Sequence, residues 1–336
     1  MSLKEVRKGT AGEDEEYVAP TVSSFEDVVV RKRVGIKSPI SWTTGIAVEG
    51  RNFYGRNDLL EMLTRNVLTK GIAGIAGGPG TGKSSLLTEV ARRLKITGRV
   101  AGKVKVGLSA ETSDWMKSQI FEERVETKNV GRIAIVADGQ PWDNKNLAAD
   151  LSYLKELRDQ GHFILISLYG DVTYHPGISE EVRQAYSVLL GNEIVTNKLM
   201  DDNQVRTLIR MGGKPIFSLA VEEYLINESG GHPYLAALLA GNTFHTALSI
   251  KLGWSRPRWE VFWEEVGANV IGNLDDREGR VARSVRCVCA AGFNPLTWEF
   301  NGDARLNQET YKNMLPRASS SIFKRWLVKL MNDETE

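Results

Sequence analysis

Eight residues, GGPGTGKS at 77–84, restrict the fold of this chain more than any other stretch. They fit G-x-x-x-x-G-K-[S/T], and each part has a physical reason. Glycines let successive backbone N–H groups curl around an anion that side chains would otherwise keep away. The flanks complete the requirement: GIAGIAG (71–77) is a short apolar run of strand type, and SSLLTEVARRL (84–94) reads as a helix. A strand, a glycine-rich turn and a helix in that order bring the positive end of a helix to a phosphate. Gly77, Gly78, Pro79, Gly80, Thr81, Gly82, Lys83, Ser84 and Ser85 are therefore the expected phosphate-binding residues. Lys83 is expected to reach the β- and γ-phosphates, and the Ser84 hydroxyl to ligate Mg²⁺. The cofactors this implies are ATP or ADP with Mg²⁺.

A strand feeding such a loop needs neighbours. VKVGLS (104–109), RIAIVAD (132–138), HFILISL (162–168) and NEIVTNKLM (192–200) read as further strands. Between two of them KNLAADLSYLKELRDQG is an amphipathic helix ended at Gly161. NDLLEMLTRNVL predicts another helix, capped by Asn57, with Leu59, Leu60, Leu63 and Leu68 mostly on one face. Apolar strands alternating with helices predict a parallel sheet covered on both faces, an α/β fold. After Asp201 the strands stop. DDNQVRTLIRM, PIFSLAVEEYLINES and PYLAALLAGNTFHTAL predict a small helical domain. The expected divisions are a partly disordered N-terminal arm (1–49), a P-loop core (50–200), a helical lid (201–252) and a C-terminal region (253–336). Helices around the irregular stretch LTWEFNGDARL suit a winged-helix domain in the last of these.

Phosphoryl chemistry on Mg²⁺ calls for an acid at the end of a second apolar strand. Asp138, closing IAIVAD, is that candidate, and with Ser84 it forms the expected metal pair. The next position, where a water-activating carboxylate often stands, is Gly139. Gln140 and Asp143 are the remaining candidates to polarise or deprotonate water. Ser167 ends the strand expected between the P-loop strand and the Asp138 strand. There its hydroxyl can touch the γ-phosphate or the attacking water, or simply finish a strand. The expectation is firm nucleotide binding with slow or partner-dependent hydrolysis.

Four stretches together resemble the AAA-like ATPases of the STAND class and the related archaeal and origin-recognition initiator ATPases. NFYGRNDLLEML (52–63) is similar to the family's aromatic-x-Gly-Arg-acid helix start, which would place Gly55 and Arg56 beside the adenine. The phosphate loop is the second. ADGQPWD (137–143) resembles a STAND segment of two Asp followed by Trp and a further Asp, with Asp138 and Trp142 matching and Gly139 replacing the presumed base. GGHPYLAALLAG (230–241) resembles the Gly-x-Pro motif of the lid, which implies that His232 and Pro233 face bound nucleotide. Taken without the family, the same four residues are a helix break with Pro in the next first turn. The resemblance covers about residues 50–245 and implies a switch, in which ATP bridges sheet and lid. No effector or repeat sensor is fused here, so the output is expected from other subunits or from self-assembly.

Charge leaves the partner open: 43 Lys plus Arg stand against 42 Asp plus Glu. A uniformly basic nucleic-acid coat is excluded, a local basic face is not. Arg280, Arg283 and Arg286 at helical spacing, with Lys324 and Arg325, favour DNA, although such stripes are commonly solvated faces. Two functions follow: an ATP-dependent regulatory switch within a protein assembly, or a DNA-binding AAA-type ATPase such as an initiator or transposition target selector. A small-molecule kinase lacks any acceptor-binding constellation. Cys287 and Cys289 are too few for a disulfide framework or a zinc site, and no apolar run suits a signal peptide or membrane span. A cytoplasmic location is expected.

Overall fold

The computed structural model describes residues 47–77, 80–108, 113–126, 131–138, 146–168, 179–191, 193–213, 215–251, 266–271 and 326. The readings placed on residues 1–46, on Gly78, Pro79, Gly139, Gln140, Trp142 and Asp143, on the Arg280 and Lys324 clusters and on both cysteines lie outside them. So does nearly all of the expected winged-helix region.

Five parallel strands form one sheet in the order β2-β3-β4-β1-β5. They are β1 (Ile72–Ala76), β2 (Gly102–Gly107), β3 (Ile133–Asp138), β4 (Phe163–Leu168) and β5 (Ile194–Thr196). β1, β3 and β4 are apolar along their length because both faces are covered. One face buries Ile135, Ile164 and Ile166 under α3 (Ser113–Glu126), α4 (Leu147–Asp159) and α5 (Glu180–Leu190). The other buries Ala134, Val136 and Leu165 under α1 (Asn57–Lys70) and α2 (Lys83–Ile96). Alternate residues of each strand thus serve opposite layers. After β5 the described residues include α6 (Asp202–Ile209), α7 (Leu219–Ser229) and α8 (Pro233–Lys251). Asp201 and Gln204 open α6 with a capping box, and the buried Glu222 of α7 receives the Arg210 guanidinium at 2.6 Å. No helix among the described residues is long and apolar enough to cross a membrane.

Three local expectations are corrected. The N-cap of α1 is Arg56, in a left-handed conformation (φ 59°), and Asn57 is already helical. The Arg56 side chain is drawn into the core, and the backbone turns to follow it. The buried face of α1 is Leu60, Leu63 and Val67, whereas Leu68 is exposed; spacings of three and four select Val67 over its neighbour. β5 is three residues rather than nine, because the chain leaves the ladder at Asn197 to enter α6. Helix α3, whose pattern is weak, and helix α5, whose apolar face is regular, are additions to the expected elements.

Residues 47–52 lie across α2. The Val48 amide donates to Ser85 Oγ at 3.2 Å and the Gly50 amide to Glu89 Oε2 at 2.7 Å, while Glu49 pairs with Lys103 of β2. Glu89 is buried yet also accepts from Arg92 and Arg93. Burial alone would raise its carboxyl, but the Arg92 guanidinium, the Gly50 amide and Arg93 together hold it down at about 2. A folded pKa below the unfolded value of about 4.3 stabilises the fold above that value, and the stability is lost as pH falls toward 2. Glu89→Gln is therefore expected to cost roughly 1–3 kcal/mol at neutral pH. It should also flatten the acid limb between about pH 5 and pH 2 in urea titrations at stepped pH.

Candidate functional site

The strand order sets the site. β4 lies between β1 and β3, so the C-terminal ends of all three open side by side where α2 begins. Parallel sheets bind ligands at that edge. Ser84, in the first turn of α2, donates its hydroxyl to Asp138 Oδ2 at 2.5 Å, and Ser167, at the end of β4, donates to Oδ1 at 2.5 Å. Lys105 of β2 places its ammonium 3.0 Å from Oδ2. Burial would raise the Asp138 carboxyl, but the Lys105 charge and the hydroxyls of Ser167 and Ser84 outweigh it and keep the group ionised, below its ordinary range. Three sequence-derived residues thus meet at one carboxylate. Lys105 was not anticipated, although lysines alternating with valines in KVKV mark the open side of an edge strand.

The loop has the conformation its glycines permit. Gly80 and Gly82 have φ of 73° and 89°, and the buried Lys83 donates its ammonium to Gly77 O at 2.7 Å. Thr81 is buried, and Ser85 receives the Val48 amide. A Cβ on Gly80 would lie 2.7 Å from His232 Cε1 and 2.9 Å from Tyr234 Cβ. The Gly-Gly-His-Pro turn therefore packs directly on the loop. His232 sits just before α8, is buried, and its Nδ1 accepts the Leu235 amide at 3.4 Å, while Pro233 is the first residue of the helix.

Arg56 is 3% exposed and gives its guanidinium to neutral oxygens. Nη1 donates to Thr81 O at 2.9 Å and to Asn197 Oδ1, and Nη2 to Lys198 O at 2.8 Å. Its Nε has no partner among the described residues, and burial pulls its pKa down to about 10 despite the charge of Asp58. Gly55 (φ 78°) lies beside Gln204 and Met200, and the Tyr54 ring lies against Gly212. Asn197, fully buried, was read only as strand. The sign that marked Ser167, a polar residue at a strand end, would have found it too.

These groups fit a magnesium nucleotide. A buried arginine beside the loop with an unpartnered N–H suits an anion. A hydroxyl and one carboxylate suit Mg²⁺, which keeps waters and takes its other ligands from phosphate. Ser84 and Asp138 would hold the ion, and loop amides with Lys83 the phosphates.

The contact between Gly80 and His232 yields a test. Gly80→Ala adds a methyl group where left-handed backbone costs about 1–2 kcal/mol and where the His232 ring must also move. Gly98→Ala is the control, with φ 69° and nothing within 4 Å of the added carbon. Gly80→Ala is expected to destabilise more than the control in urea and to speed amide exchange in residues 230–240, which the control leaves unchanged.

No family model matches the chain, and no curated protein does. Solved structures do. The Walker-type ATPase PABY2304 of Pyrococcus abyssi is 12% identical, with 85% of this chain and 100% of that one covered at a TM-score of 0.51. The Aeropyrum pernix ORC2 protein, in ADPNP and ADP complexes, is 12% identical over 86% and 89% of the two chains at a TM-score of 0.50. With the parallel sheet and the glycine loop before α2, these likenesses establish an α/β P-loop NTPase fold.

Proposed function

We propose that the chain binds Mg²⁺-ATP between the phosphate loop and the lid formed by α6–α8, hydrolyses it slowly, and works within a DNA-associated assembly. The observation that carries the first part is the meeting of Ser84, Ser167 and Lys105 on an ionised Asp138 at the mouth of the loop. The contact of His232 with Gly80 supports a lid that reads what the loop holds. Slow turnover is supported by Gly139, where a general base would otherwise add about 10²–10⁴-fold. Lys83→Ala should abolish ATP binding in titration calorimetry while the chain still unfolds cooperatively, with a loss of about 0.5–1.5 kcal/mol for the bond to Gly77 O. Wild-type affinity in that variant would remove the loop from the site.

Two outputs were open, a protein switch and a DNA-binding ATPase. The second has the better support. The fold is shared with ORC2, and the sequence resembles initiator ATPases as well as the STAND class. Arg280, Arg283, Arg286, Lys324 and Arg325 would supply phosphate contacts from a winged-helix-like C-terminal region. If so, the full chain binds duplex DNA with an affinity that falls steeply with salt, log K against log salt having a slope of about −0.9 per phosphate neutralised. Fluorescence anisotropy in a series of salt concentrations reads it. No binding at low salt, with or without ATP, would return the output to protein partners alone.

A further inference from the structure

Asn197 stands where the sheet hands the chain to the lid, and its side chain has an orientation that chemistry fixes. Arg56 Nη1 can only donate, so the atom facing it must be the amide oxygen Oδ1. Thr81 O can only accept, so the atom facing it must be Nδ2, at 2.9 Å, with Thr81 Oγ1 also at 3.0 Å. A side chain of this length with an acceptor on one side and donors on the other is asparagine. An aspartate would set a carboxylate oxygen against a carbonyl, and a leucine would satisfy neither side.

The surrounding bonds form a closed ring. The Asn197 amide donates to Ala76 O at 2.7 Å, which ties it to the end of β1. Arg56 bridges Thr81 O to Lys198 O, one residue further on. The Met200 amide donates to Gly231 O at 2.8 Å, and the next residue of that turn, His232, returns to the loop at Gly80. Loop, lid root and lid turn are thereby linked in a cycle of contacts. The Asn197 side-chain amide and the Arg56 guanidinium both join Thr81 to the root of the lid.

We infer that Asn197 is a positioning residue that couples occupancy of the phosphate loop to the lid. A nucleotide that orders the loop fixes Thr81. Asn197 and Arg56 then fix Lys198–Met200, the stem on which α6 begins. The inference rests on the nucleotide-binding reading above, and it predicts a loss of coupling distinct from a loss of binding.

The test is hydrogen–deuterium exchange on the full chain, with and without Mg²⁺-ATP, in wild type, Asn197→Ala and Asn197→Asp. Each protein is measured at ten times its own Kd. Asn197→Ala is expected to bind Mg²⁺-ATP about tenfold more weakly, within the range of coupling between linked sites. At saturation it should protect residues 77–84 as wild type does, while peptides from 202–247 exchange as fast as without nucleotide. Asn197→Asp keeps a partner for Arg56 but sets a carboxylate oxygen against Thr81 O, so it should uncouple the lid in the same way. Lid protection in both variants equal to wild type at saturation would overturn the inference. If neither variant unfolds cooperatively, Asn197 is a folding residue and the inference is likewise overturned. Absence of Mg²⁺-ATP binding in wild type would overturn the nucleotide reading as well, and the binding arm shows that separately.

Discussion

Both oxygens of Asp138 are held by hydroxyls from different elements, Ser84 opening α2 and Ser167 closing β4, so this group ties the helix after the phosphate loop to the sheet. A largely buried carboxylate is costly unless its lone pairs are used. Here the two hydroxyls and the Lys105 ammonium use them, and the group remains charged. The arrangement requires the strand order. Only with β4 between β1 and β3 do Ser167 and the start of α2 reach the same carboxylate. The core layers that press α1 and α2 on one face and α3, α4 and α5 on the other fix that order.

The same logic extends outward from the loop. Arg56 is buried against Thr81 and Lys198, and Tyr54 and Gly55 lie along the helices that follow β5. Glu89 anchors the segment before α1 to the helix that carries Ser84. Segments distant in sequence therefore converge on the loop and the first turns of α2.

Much of this was legible in the residues. The glycine loop, the apolar runs of β1, β3 and β4 and the acid at a strand end specify the sheet and one side of the site, because burial on both faces leaves an unmistakable run such as IAIVAD. The helix α3 was not legible because its apolar face is interrupted, whereas α5 has a regular apolar face in Val182, Ala185, Tyr186 and Leu189 that the sequence did carry. Phe121 and Val125 of α3 are exposed, which blurs its period. The partners of buried polar groups were not legible. Nothing in the local sequence says that Asn197 meets Thr81, 116 residues away, or that Glu89 meets Gly50. Hydrogen bonds of that kind are set by the fold, and a residue type records only that a polar group is present. The cap of α1 fell to Arg56 for the same reason.

The central claim is that Ser84 and Asp138 act as one metal-holding pair. A double-mutant cycle of Ser84→Ala and Asp138→Asn, read by titration calorimetry of ATP with Mg²⁺ and again with EDTA, addresses it most directly. With Mg²⁺ the two effects should be non-additive by about 1–3 kcal/mol, as for residues sharing one network, and with EDTA the four proteins should bind ATP nearly alike. Additive effects in Mg²⁺, or the same pattern in EDTA, would contradict the account.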